Sequence, residues 1–207
     1  MKRRFAILMQ FVVCAASCLA ANAQRPAPEL KHFAKGGLSF DYPAEVTFED
    51  QSEPGGQHLV LTYANSGAQI MVMARYEIID SPEQLAKARK EVFDYFVDAI
   101  VKELERQKAQ VEHVERQIEV GGAQASGVRL RAMLGGEPGN AEIYFLVLGR
   151  RLVLVTIIGS DKELAAAAAV WTTVRRSLKV EDRTISDSSL NGRQARIMEL
   201  ECQKKSG

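Results

Sequence analysis

Few side chains in this sequence have types and spacings that could do chemistry. His32, His58 and His113 are far apart, with no Cys or carboxylate beside them at ligand spacing, so any metal site would have to be assembled by the fold alone. Each reads as an ordinary surface or strand-end histidine. No serine sits in a G-x-S-x-G turn, and Gly159-Ser160-Asp161 is better explained as a helix cap than as a nucleophile elbow. The glycine pairs at 36/37, 55/56, 121/122 and 135/136 fall between strands, which argues against a phosphate cradle at a helix start. Cys202 has no nearby His and lies near the C-terminus, a poor setting for a nucleophile. Asp41, Glu49, Asp50 and Glu53 could offer oxygens to a hard cation such as calcium, but they lack the spacing of a calcium loop and read as a solvated acidic edge. The expectation is therefore no catalytic, metal or cofactor site. Arginines remain: Arg129 and Arg131 on one strand face, Arg150 and Arg151 at a hairpin tip, all placed to meet an acidic partner. Solubility and protection of a strand edge account for them equally well.

The N-terminus bears on where such chemistry would take place. Lys2, Arg3 and Arg4 precede an uncharged apolar stretch from Phe5 to Leu19, and Ala21-Asn22-Ala23 supplies small-x-small cleavage chemistry. Residues 1–23 read as a signal peptide, so the working chain begins near Gln24 in the periplasm or outside the cell, with no stable membrane span after cleavage. Of 27 Lys and Arg, three leave with the signal, and 24 then face 26 Asp and Glu. That near balance argues against a nucleic-acid binder. Cys14 and Cys18 leave as well, so Cys202 is left without an internal disulfide partner, free to link two chains or to remain a tail thiol. Stability must then come from a hydrophobic core.

The elements that would position these side chains follow from periodicity. Residues 24–35, with two prolines, read as a leader, 36–180 as one domain and 181–207 as a tail. Leu38 to Tyr42, Val46 to Phe48, His58 to Tyr63 and Ala68 to Glu77 read as strands, the last two joined by a hairpin at 65–67. Ser81-Pro82-Glu83-Gln84 is a capping box opening a helix to about Lys108, whose buried face is Leu85, Ala88, Val92, Phe96, Ile100 and Leu104. Residues 111–120 and 124–134 read as two more strands, followed by a turn from Gly135 to Asn140. The apolar runs Ile143 to Leu148 and Leu152 to Ile158 then form a central hairpin covered on both faces. A second helix starts at Ser160, with Glu163 completing its cap, and ends near Arg176; Ala165 to Ala169 would let it approach the sheet closely, with Trp171 as a core anchor. Leu178 to Val180 adds a short strand.

The start Gly37-Leu-Ser-Phe-Asp-Tyr-Pro43, the early strand pairs, one long helix, the apolar hairpin and a closing helix ending in Arg176-Ser-Leu178 together resemble the PsbP-like and Mog-type fold, including exported DcrB-like bacterial proteins. The resemblance covers residues 36 to 180. It implies an α+β fold, an antiparallel sheet sandwiched between helices, used as an accessory or binding module; no functional residue is carried over, because fold does not transfer function. The expected function is an exported, non-enzymatic accessory protein of the bacterial cell envelope that binds a partner protein or envelope component. The alternative is a binder of a small or lipophilic ligand in a cavity between the long helix and the sheet, suggested by Phe93 and Phe96. A hydrolase whose residues meet only in space ranks third.

Overall fold

The computed structural model describes residues 28–181 apart from 65, 108 and 135. The signal peptide read at 1–23 and the tail beyond Glu181 lie outside the described residues. Strands β1 (Leu30–Lys35), β2 (Leu38–Pro43), β3 (Val46–Asp50), β4 (Gly56–Tyr63) and β5 (Gln69–Ile78) come first. Helix α1 (Pro82–Ala88) continues through a π-helical turn, Arg89–Asp94, into α2 (Tyr95–Arg106). Strands β6 (Glu112–Val120), β7 (Ala123–Leu134), β8 (Glu137–Leu148) and β9 (Arg151–Ser160), helix α3 (Asp161–Ser177) and strand β10 (Lys179–Val180) complete the order.

Seven strands form an antiparallel sheet in the order β3-β4-β5-β9-β8-β7-β6, and β1, β2 and β10 form a second, smaller sheet. Helix α3 and β2 pack on one face of the large sheet. Their shared core includes Phe40, Leu59, Val72, Tyr144, Val155, Val170 and Leu178. The α1–α2 helix covers the other face, where Phe93 and Val97 meet Leu130 and Ile143, and Ala88 meets Leu152 and Leu154. Strand β9 lies at the centre and is buried along nearly its whole length, as its unbroken apolar run requires. The domain is thus an antiparallel sheet sandwiched between helices.

Both helix caps form as the sequence dictates. Ser81 Oγ accepts from the Gln84 N–H while Gln84 Oε1 accepts from the Ser81 N–H, and Ser160 and Glu163 reciprocate in the same way. Four expectations need correction. The segment read as a leader contains β1. Its only half-buried residue is Phe33, which stacks on Phe40 at 5.2 Å, so no periodic signal marks the strand. The turn expected from Gly135 to Asn140 is much shorter, because β8 resumes at Glu137 and Pro138 and Gly139 pair with Met133 and Ala132. In α3 only Ala167 of the alanine series is buried, and Ala165, Ala166, Ala168 and Ala169 face outward. The long helix is not uniform. Its buried residues are Ala88, Phe93, Val97 and Leu104, and the π turn supplies the five-residue step from Ala88 to Phe93 that keeps both halves facing the sheet.

Candidate functional site

The four arginines singled out in the sequence do not share a surface. Arg129 and Arg131 do project from the same face of β7, toward α3. Glu142, opposite Arg129 in register on β8, accepts from Arg129 Nε at 2.7 Å and, on its other oxygen, from the Tyr144 hydroxyl at 2.8 Å. Burial first, and then the neighbouring Glu142 charge, push the Tyr144 phenol well above its ordinary range. Arg131 makes a bidentate pair with Asp161 in the first turn of α3, at 3.2 and 2.8 Å, and Asn140 Nδ2 donates to the same carboxylate. The Arg131 hydrogen bond holds Asp161 below the usual carboxylate value. These groups tie α3 to the sheet.

Arg150 sits in the β8–β9 turn at φ +60°, with its Nε 2.7 Å from Asp80 Oδ1, and so pins the turn to the chain just before α1. Arg151, expected at the exposed tip, is instead 6 % exposed. Its guanidinium donates to the carbonyls of Gly36, Ala74 and Arg75 and to Gln57 Oε1, and lies 5.0 Å from the centre of the Tyr76 ring. Because every one of those contacts is neutral, desolvation lowers its pKa, with Tyr76 opposing. It is a structural cation joining the two sheets rather than a surface for an acidic partner.

The expected acidic edge disperses into local contacts. Asp41 meets His32 Nδ1 at 2.6 Å, Asp50 meets Lys35 Nζ at 2.6 Å, and Glu49 accepts from Gln51. Among the described residues, no three His, Cys, Asp or Glu side chains come together in a way that could hold a metal ion.

Sequence reasoning located the helix–sheet interface but not its shape. Phe93, Val97, Val128, Leu130 and Ile143 fill the interface, and Phe96 packs into it. At its margin the π turn leaves an open groove of about 450 Å³. Phe93 and Phe145, with centroids 4.6 Å apart, form its aromatic wall, and the Arg89 guanidinium lies 5.2 Å from the centre of the Phe145 ring. Glu115, Gln117 and Ser126 supply a hydrogen-bonding rim. An arginine held against an aromatic face, with polar groups around it, can receive a planar or aromatic group and orient it. Arg89 opens the π turn and lines this groove, and single-sequence periodicity carries no signal for such a turn.

The class defined by the fold is an α+β sandwich with a groove at its helix–sheet margin. No protein-family model matches the chain, and no curated protein sequence matches it significantly. Among solved structures the chain is similar to cyanobacterial PsbP (CyanoP) from Synechocystis sp. PCC 6803, at 15% identity and a TM-score of 0.48, over 76% of this chain and 96% of that one. A protein from Bacteroides thetaiotaomicron VPI-5482 overlaps 73% of this chain and 48% of its own, at 13% identity and a TM-score of 0.44. Protein PA94 of Pseudomonas aeruginosa, of unknown function, overlaps 70% and 92% respectively, at 12% identity and a TM-score of 0.30. At these identities the similarity concerns the course of the backbone alone, and none of it bears on Mog-type or DcrB-like proteins in particular. No helix among the described residues is long and apolar enough to cross a membrane.

Proposed function

We propose that this chain is an exported, non-enzymatic accessory protein of the bacterial cell envelope that holds a partner protein through the groove at the π turn. The observation that carries the reading is the Arg89–Phe145–Phe93 arrangement, an exposed cation over the half-buried Phe145 ring with Phe93 buried behind it, beside the polar groups of Glu115, Gln117 and Ser126. An open groove with a polar rim suits a side chain of a partner, whereas an enclosed apolar cavity would suit a lipophilic molecule. Export is supported by the n-region, apolar stretch and cleavage chemistry of residues 1–23. The second reading, a small planar ligand, rests on the same groove, since the interface beneath it is filled.

The test is affinity capture from envelope extract with residues 1–207 as expressed protein, beside Arg89→Glu and Ser126→Arg variants. Both positions are exposed, so the fold should survive. A partner held by the wild type through a salt wash and lost by both variants supports the proposal. Equal capture by all three overturns the groove. A small molecule that co-purifies with the wild type and is absent from Arg89→Glu transfers the groove to the second reading. Export is checked by fractionation and N-terminal sequencing, with Gln24 the expected first residue; an intact Met1 in the cytoplasm would refute it.

A further inference from the structure

Strand β6 closes one side of the seven-stranded sheet and, among the described residues, pairs only with β7, which leaves one side of its backbone without a described strand partner. Such an edge invites a further strand. Its charged side chains, Glu112, Glu115, Arg116 and Glu119, are exposed, as is His113, and none of them forms an ion pair among the described residues. The contrast is with Arg129 and Arg131 on the neighbouring strand, both matched within the chain.

Two antiparallel copies of one strand can meet about a two-fold axis only in registers that set even-numbered residues against even and odd against odd, because side chains alternate between the faces. Centred on Val114, that pairing puts Glu112 opposite Arg116 of the second copy and His113 opposite Glu115 of the second copy. Each contact occurs twice by symmetry, and Val114 meets its own copy on the axis. Centred on Glu115 or Arg116, the axis brings like charges together, and centred on Gln117 it sets Glu115 against Glu119 twice. Centred on His113 or Ile118, no opposite charges meet. Of these six registers, only the one at Val114 matches opposite charges and opposes no like ones, which is the pattern that stabilises cross-strand pairs.

An independent observation places the free stretch at the same end of the strand. Near its C-terminus, β6 is covered by α3. Arg175 Nη1 donates to the Glu119 carbonyl at 2.9 Å, and the Gly121 N–H donates to the Arg175 carbonyl at 2.8 Å. The open part is therefore the half centred on Val114. We propose that two copies of this chain join antiparallel along β6 about a two-fold axis at Val114, merging their large sheets into one continuous sheet. This association is independent of the partner reading, although Glu115 and Gln117 on the rim of each groove would bring the two grooves to either side of the axis.

Sedimentation velocity on residues 1–207, at high micromolar concentration, low salt and under reductant, tests the proposal; the reductant removes any Cys202 link. The wild type should be dimeric. Glu112→Arg or Arg116→Glu alone sets like charges opposite each other twice and should weaken the dimer about tenfold or more. The double variant Glu112→Arg/Arg116→Glu restores both pairs and should restore the dimer. This rescue distinguishes lost complementarity from lost folding. A monomeric wild type, a dimer indifferent to the single reversals, or a double variant as weak as the singles would each overturn the proposal.

Discussion

Arg151 carries a full charge into the protein without a carboxylate to meet it. Three carbonyls, the Gln57 amide oxygen and the Tyr76 ring share the work of replacing its water. Arg151→Met keeps most of the buried stem but strands those acceptors, and should cost about 3 kcal/mol in urea unfolding. Thr156 shows the opposite case. Its hydroxyl is buried in β9 with no hydrogen-bond partner among the described residues, so Thr156→Val, which keeps the shape and removes the orphan, should stabilise by about 1 kcal/mol on the same measurement. At this scale the sequence could show that two arginines stand together at a hairpin. It could not show which one turns inward, because that is decided by Arg150 taking the turn at positive φ and Arg151 opening β9 opposite Leu148 and Ile78.

Elements were legible wherever their determinants are close in sequence. The two capping boxes lie within four residues each, and the β6–β9 strands alternate or run apolar as their burial demands. The π turn was not legible. Leu85, Ala88, Val92, Phe96, Ile100 and Leu104 look like one stripe, but a run of four-residue steps drifts around a 3.6-residue helix. The five-residue step at the π turn resets that drift, so Phe93 and Val97 take the buried places. Gly139 misled in another way. It looks like turn chemistry but sits inside β8, where a Cβ would press to 2.5 Å from the Gly159 carbonyl oxygen on β9. The helix makes a sharp prediction. Deleting Lys90 from the π turn leaves Ala88 and the following Phe four apart, converts the turn to regular α-helix and keeps both faces aligned, so stability should change by less than about 1 kcal/mol. Deleting Lys102 from α2 instead rotates Leu104 away from the core and should cost about 2 to 3 kcal/mol. Urea titration of the two deletions side by side measures the difference.

For the whole molecule, the sandwich could be inferred from β9 alone, since a strand apolar on both faces must be covered on both. The small sheet could not, because β1 has a single packed residue and β10 is two residues long. Leu38 and Phe40 of β2 pack it into the core of the large sheet, Phe33 and Tyr42 pack on Phe48 of β3, and polar contacts add to these: Gln57 Nε2 to the Lys35 carbonyl, Arg151 to the Gly36 carbonyl, and Lys35 to Asp50. The Lys35 hydrogen bond, aided by Ser52, holds the Asp50 carboxyl at about 2, below its ordinary 3.8. A carboxyl depressed in the folded state contributes stability above its unfolded value and loses it as pH falls toward the folded one. Urea midpoints should therefore carry a component that fades between pH 3.8 and about 2 and is missing in Asp50→Asn; an identical pH profile for the two proteins would show that the ion pair contributes nothing.

The strand order has one more consequence. Strands β3, β4 and β5 are successive hairpins, and so are β6, β7, β8 and β9; in the large sheet the two meanders touch only along β5 and β9. The sheet is two halves sewn along a single seam, with the α1–α2 helix as the thread that passes from one to the other. A cut between Arg106 and Glu112 would sever that thread without opening a single strand pair. The two pieces would each keep a local hairpin register and present the other with a matching hem, so halves cut there should find each other again when mixed.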